Sequence, residues 1–148
     1  MRTSDEGIAF IANFEGFRSR AYLCAGGKWT IGYGHTKGVR QGDVCTPSQG
    51  LRYLRDDVAE AERTVERYVN HLLRQCQFDA LVSFVFNVGA GNFRNSTLRR
   101  VINNNPDDYD KIEAEFLRWV YANGKTLVGL VRRRTAESKM YRNEDNQQ

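Results

Sequence analysis

The sequence predicts an α+β protein with a small β-hairpin lobe and a larger helical lobe, joined by a long helix. Three observations predict it. Five glycines fall within Phe14–Thr36, and Trp29, Ile31 and Tyr33 alternate there at strand spacing, the pattern of a tight hairpin. Leu51, Leu54, Val58, Ala61, Val65, Tyr68 and Leu72 then form one apolar stripe at helical spacing, with Arg, Asp and Glu on the other face. Finally, Phe78 to Val88 is apolar nearly all round, as expected of a central buried helix. A chain of 148 residues has room for one domain with a real core. The small lobe is expected over about residues 15–45, and the helical lobe over about 46–148 together with the first helix.

The elements follow in order. Thr3 and Glu6 have capping-box spacing, and Ile8, Ile11 and Phe14 recur at helical intervals, so a first helix is expected over Ser4–Phe14. It delivers Glu15 to a helix end facing the glycine-rich stretch. A small twisted antiparallel sheet is expected from Ala21 to about Arg40. Thr46-Pro47-Ser48-Gln49 combines an N-cap, a proline at the first helical position and a capping-box glutamine, which opens the long helix. Gly89 to Gly91 ends the apolar helix. Asn95-Ser96 caps a short helix to about Asn103, and Asp107-Asp108 starts another through Ile112, Phe116 and Trp119. A turn at Asn123-Gly124 leads into a last helix over Leu127–Tyr141, which carries Arg132, Arg133 and Arg134.

The formal charge of +4 implies attraction to an anionic partner, without choosing among nucleic acid, a membrane surface and a wall polymer. Two prolines and no single-sign or Ser/Gly-rich run argue against a disordered tail. The apolar runs near Ile8–Phe14 and Ala80–Val88 are shorter than a membrane span requires, and neither has the basic leader of a signal peptide. Stable membrane insertion is therefore not expected. Cys24, Cys45 and Cys76 are odd in number and widely spaced, which disfavours a disulfide framework and fits synthesis in a reducing cytosol. His35 and His71 lie far from each other and from paired cysteines, so no metal is expected.

The residues that carry chemistry are Glu15, Cys24 and Thr30. Their spacing, Glu, eight residues, Asp or Cys, five residues, Thr, resembles the catalytic signature of phage-type lysozymes, glycoside hydrolase family 24, the endolysins of tailed phages and prophages. Flanking words are similar too: Tyr22 with Thr30-Ile31-Gly32-Tyr33-Gly34-His35-Thr36, then Ala80 through Gly89, Asn95-Ser96-Thr97-Leu98, Arg118-Trp119, and Gly129-Leu130 with Arg132 to Glu137. The resemblance covers nearly the whole chain. It implies a lysozyme-like fold with a cleft between the lobes. It also implies a cofactor-free hydrolase that cleaves the β-1,4 bond between N-acetylmuramic acid and N-acetylglucosamine in peptidoglycan, with Glu15 as the general acid.

Cys24 departs from the aspartate found in many relatives. A thiolate could attack the anomeric carbon, but a sulfur-linked sugar is harder to release than an acyl-linked one. Its reach is also shorter, leaving room for water. Cys24 with the Thr30 hydroxyl is therefore expected to order or activate water, with inversion of the anomeric centre. An exposed Cys24 should be alkylated faster than Cys45 or Cys76, which read as buried structural thiols. Disulfide formation with either would switch the enzyme off. Some relatives with cysteine here couple such a lock to an N-terminal anchor, and no anchor segment is read in this chain.

The resemblance further implies that His35 is structural, pairing with Asp56 or Asp57, and that Thr36, Phe86, Asn87 and Ser96 line the saccharide cleft. For Phe86 and Ser96 a core or cap role stands equally open. Trp29 and Tyr33 could stack on sugars or cover the small lobe's core. For Arg132–Arg134 a solvated face or contact with an anionic polymer are both open. The expected protein is a monomer made in the bacterial cytoplasm. It reaches the wall through a holin-type permeabilising partner and causes host lysis without binding nucleic acid. The rivals are a catalytically weak wall-glycan-binding protein, a lytic transglycosylase on the same fold, and a basic module for DNA or anionic lipid.

Overall fold

A computed structural model describes residues 1–143. The chain gathers into two compact units, one of Ile8–Glu60 and one of Met1–Gly7 with the chain from Ala61 onward. The smaller unit thus takes in more than the 15–45 stretch that the sequence suggested.

In the smaller unit, α1 (Asp5–Glu15) buries Ile8, Ile11 and Ala12, and the rings of Phe10 and Phe14 meet at 5.1 Å. Gly16 ends it at φ +76°, its N–H donating to the Ala12 carbonyl at 3.0 Å, the left-handed helix end that glycine adopts without strain. Strands β1 (Arg18–Leu23) and β2 (Trp29–Gly32) pair antiparallel, with Tyr22 opposite Thr30 and Leu23 opposite Trp29. The connection closes when the Cys24 N–H donates to the Lys28 carbonyl at 3.0 Å and the Gly27 N–H to the Cys24 carbonyl at 2.9 Å. The regular sheet stops at Gly32 rather than near Arg40. Beyond it only isolated bridges remain, Ile31 with His35 and Arg20 with Val44.

Strand β2 does not show the expected alternation, since Thr30, Ile31 and Gly32 are all buried. Helix α2 (Pro47–Asp57) packs directly on it, and a side chain on Gly32 would stand 3.3 Å from the Gly50 α-carbon. Glycine on both sides permits that approach. The cap of α2 forms as the sequence predicts: the Gln49 N–H donates to Thr46 Oγ1 at 3.2 Å, and the Thr46 N–H to Gln49 Oε1 at 2.8 Å.

The long helix is in fact two helices. The chain turns at Val58 and resumes as α3 (Ala59–Tyr68). The middle of the predicted stripe is right, with Leu54, Val58, Ala61 and Val65 buried, but its ends are not: Leu51 is exposed, and Leu72, beyond α3, is 97% exposed.

The larger unit is built around α4 (Gln75–Val88), which packs along α8 (Val128–Arg142). Phe84 meets Phe116, Trp119 and Phe93 edge-on at 5.5, 5.7 and 6.2 Å, the geometry aromatic rings prefer. Gly89 ends α4 at φ +94°, and α5 (Ala90–Arg94) follows. Ser96 caps α6 (Thr97–Asn104), as expected. Helix α7 (Tyr109–Phe116) stops short of Trp119, and Asn123-Gly124, both at positive φ, turns a small hairpin between β3 (Tyr121–Ala122) and β4 (Lys125–Thr126).

The N-terminal cap differs by one residue from the expected box. Ser4 Oγ accepts the Gly7 N–H at 3.0 Å, while the Thr3 hydroxyl and amide both donate to Glu62 Oε2, at 2.7 and 2.6 Å. Asp79 of α4 accepts the Ser4 amide at 3.0 Å and the Ser4 hydroxyl. Glu62 therefore takes the Thr3 amide that the expected box would have given to Glu6, while the Ser4 hydroxyl accepts as the cap and donates to Asp79.

Candidate active site

Glu15 is the last residue of α1 and is half-buried. Its Oε1 lies 3.5 Å from where a β-carbon on Gly34 would stand. Gly34 has φ +88° and is the last of the three residues between Ile31 and His35, which exchange backbone bonds at 2.9 Å. The end of α1 and the turn after β2 thus meet over this carboxylate. The turn needs a residue that accepts positive φ and leaves the carboxylate face open.

Cys24 stands where β1 leaves the ladder, half-exposed, with Thr30 on β2. The Cys24 thiol is held below its ordinary value first by the Lys28 backbone N–H, then by the Thr30 hydroxyl and the Gly26 amide. Thr30 is buried, and its Oγ1 donates to the Lys28 carbonyl at 3.0 Å. One hydroxyl carries one proton, so both partners cannot receive it together. With a neutral thiol it rests on Lys28, and with a thiolate it can turn to sulfur. That rotor stabilises the charged form selectively.

The other thiols differ from this one. Cys45 is buried, and desolvation pushes its thiol up. Cys76 is half-exposed rather than buried as expected, its sulfur 3.7 Å from the Asn143 carbonyl. His35 pairs with Asp57, not Asp56: Nδ1 lies 2.9 Å from Oδ2, and the ring stacks on Tyr53 at 4.5 Å. It ties the turn carrying Gly34 to α2. Thr36 follows it, exposed. Tyr33 packs at 5.2 Å against Phe17 and is half-buried, as is Trp29.

Phe86, Asn87 and Ser96 belong to the larger unit. Phe86 is half-buried and Asn87 exposed near the end of α4. Ser96 is 4% exposed, and its hydroxyl serves as a cap: it donates to the Phe93 carbonyl at 2.7 Å and accepts the Arg99 N–H at 3.1 Å. Of the two roles left open for Ser96, the cap is the one its bonds serve.

The arginine cluster corrects the sequence reading. Only Arg132 is exposed. Arg133 and Arg134 are buried around Glu137, which is fully buried and accepts from Arg134 Nη1, from Arg133 Nε at 3.3 Å and from Ser83 Oγ at 2.6 Å. Burial pushes the Glu137 carboxyl up and the Arg134 guanidinium down, while each charge holds its partner ionised. In the sequence Glu137 only closes a matching word and carries no role, although its spacing of three and four residues from the two arginines is the signal that finds it. Among the described residues, no three His, Cys, Asp or Glu side chains gather as a metal site.

The family profile described as phage lysozyme matches residues 12–137. An endolysin of Acyrthosiphon pisum secondary endosymbiont phage 1 is 41% identical, covering 95% of this chain and 98% of that protein. The muramidase domain of SpmX from Asticaccaulis excentricus superposes with a TM-score of 0.88 at 35% identity, over 95% of this chain and 97% of that one. A mutant of P22 lysozyme does so with a TM-score of 0.86 at 32% identity, over 95% and 98%. Of two further phage endolysins this chain spans about half the length. With a lysozyme-like fold and full-length matches of this kind, the chain belongs to the phage lysozyme family and is a glycoside hydrolase of the muramidase type.

Proposed function

We propose that the protein is a peptidoglycan-degrading endolysin that hydrolyses the β-1,4 bond between N-acetylmuramic acid and N-acetylglucosamine, with Glu15 as general acid. The observation that carries this reading is the Glu15 carboxylate, lodged at a helix end against the Gly34 turn. In the same unit stand Thr30 and a thiol with lowered pKa. Glu15 gives its proton to the glycosidic oxygen as that bond breaks. Water attacks the anomeric carbon and passes a proton to the Cys24 thiolate, which the Thr30 hydroxyl and Lys28 amide stabilise beforehand. The product has the inverted anomeric configuration. Proton return through solvent resets both groups.

Thr36, Phe86 and Asn87 serve substrate binding in this reading, and His35 serves the turn. The whole chain works as one lysozyme-like domain, a monomer made in the cytoplasm of a phage's host. It reaches the wall after a holin-type protein permeabilises the membrane, and its activity lyses the cell. Among the described residues no helix is long and apolar enough to cross a membrane.

Clearing of permeabilised Gram-negative cells tests the assignment. Wild type should clear them, Cys24→Asp should retain activity, and Glu15→Gln should lose about 10²–10⁴-fold, the usual contribution of a positioned acid. A Glu15→Gln variant that clears at the wild-type rate sinks the mechanism. Proton NMR of the first product should show the α-anomer, and the β-anomer appearing first would replace inversion with a sulfur-linked intermediate. Mass spectrometry of the muropeptides should find reducing ends, and anhydro-muramyl ends would make the enzyme a transglycosylase instead.

A further inference from the structure

Helix α8 is built inside out. Its buried side carries Arg133, Arg134, Glu137 and Ser138 along with Tyr141, while Val128, Val131 and Arg132 stand exposed. A surface helix ordinarily turns its apolar residues inward and its charges outward. Here the ionic cluster occupies the interior, and the valines face solvent. Single exposed hydrophobes are ordinary, but these are grouped. Val128 is 73% exposed, Val131 follows three residues on along the same face, and Leu127, also exposed, is the N-cap. The β3–β4 register sets Tyr121, 63% exposed, opposite Thr126, two residues before Val128. The Leu127 N–H donates to the Val120 carbonyl at 2.9 Å, which ties the hairpin to the start of the helix. From Phe116 to Ala136 the sequence holds no acidic residue. Arg118 is engaged by Glu115 at 3.1 Å, and Arg133 and Arg134 by Glu137. Lys125 and Arg132 are exposed and make no ion pair among the described residues.

We propose that this face, Tyr121, Leu127, Val128 and Val131 with Lys125 and Arg132, is a docking surface for an anionic phospholipid leaflet. Charge and apolarity together choose that occupant. A leaflet presents phosphate first and hydrocarbon just beneath, which matches cations set beside short aliphatic side chains, and a tyrosine suits the boundary between the two layers. A second copy of the chain is disfavoured, because a two-fold contact repeats the patch on both sides and brings Lys125 and Arg132 toward the same cations of the partner. A nucleic acid or other soluble polyanion pairs with the cations but leaves the valines in water. Four apolar side chains and two cations support peripheral, reversible attachment rather than insertion. The attachment concentrates the hydrolase at a membrane surface without involving Glu15.

Co-sedimentation of the full chain with lipid vesicles is the test. At low salt the protein should sediment with vesicles of mixed phosphatidylglycerol and phosphatidylcholine, and should stay in solution with phosphatidylcholine alone. Lys125→Gln with Arg132→Gln should weaken partitioning about 10-fold or more, since each cation near an anionic surface contributes separately. Val128→Lys with Val131→Lys is the sharper variant, because it adds positive charge while removing the apolar contact. It should also bind more weakly than wild type, and equal or tighter binding would reduce the contact to charge alone and overturn the proposal. All four positions are exposed, so both double variants should melt within a few degrees of wild type and hydrolyse soluble glycan fragments at its rate. Wild type that ignores anionic vesicles sinks the idea outright. A short DNA duplex bound as tightly as the vesicles, or a dimer in sedimentation that the lysine variant dissolves, assigns the face to that occupant instead. Glu15→Gln should bind vesicles as wild type does, so a failure of the muramidase mechanism and a failure of this docking surface are read separately.

Discussion

Cys24 owes its lowered pKa to donors supplied by its own hairpin, the Lys28 amide first and the Thr30 hydroxyl second. Its alkylation by iodoacetamide should therefore reach half-maximal rate at a pH below the ordinary value of 9.0, and Thr30→Val should move that midpoint back up. A midpoint unchanged by the Thr30 substitution would remove the hydroxyl from the site. Cys45 moves the opposite way through burial, so in the folded protein it should react slowly and last. This contrast was half legible. Spacing from Glu15 singled out Cys24 and Thr30, but the role of Lys28 is played by backbone, and the identity of a residue says little about where its N–H will point. Asp57 was legible for a different reason, since the resemblance implied a pairing of His35 with Asp56 or Asp57, and the structure selects one.

At the level of helices, local chemistry predicted starts better than it predicted continuity. Thr46-Pro47-Ser48-Gln49 carries all the parts of its cap within four residues and forms as expected. The interruption at Val58 has no glycine or proline to announce it, and the apolar stripe passes through the break without losing phase. A run of three arginines reads the same whether solvated or buried, and what separates the cases is the Glu137 that follows. That cluster makes a sharp forecast for α8. Glu137→Gln removes the anion between two buried guanidiniums and should cost about 3–5 kcal/mol. In a protein of this size that is a fall of roughly 10 °C or more in Tm by calorimetry. Arg132→Gln, one residue before the pair on the exposed side, should stay within about 0.5 kcal/mol of wild type. Equal effects from the two substitutions would mean that the ionic cluster contributes nothing particular.

For the molecule as a whole, the alkaline limit of stability is set in part by a tyrosine. Tyr141 is buried, donates to the Pro106 carbonyl at 2.6 Å, and burial pushes its phenol well above 10.0. The folded state keeps this proton where the unfolded chain gives it up. The stabilising contribution is thus fully present below about pH 10, the unfolded value, and is lost as pH rises further. Tm measured from pH 8 to 11 should fall more steeply for wild type than for Tyr141→Phe, and parallel curves would assign the alkaline limit to other groups. The overall architecture itself was read from three broad patterns, the hairpin glycines, the amphipathic stripe and the apolar helix. Those are properties of many residues at once and survive local errors, whereas cap positions, strand ends and buried charges depend on single partners far along the chain. The fastening of Thr3 to Glu62 and of Ser4 to Asp79 is one such long-range dependence, and it has a practical side for anyone handling the protein. Cloning schemes that trim or overwrite residues 2–4, or splice a cleavage scar into them, would strip Glu62 of the Thr3 amide and hydroxyl and leave Asp79 with the Gln75 side chain in place of Ser4.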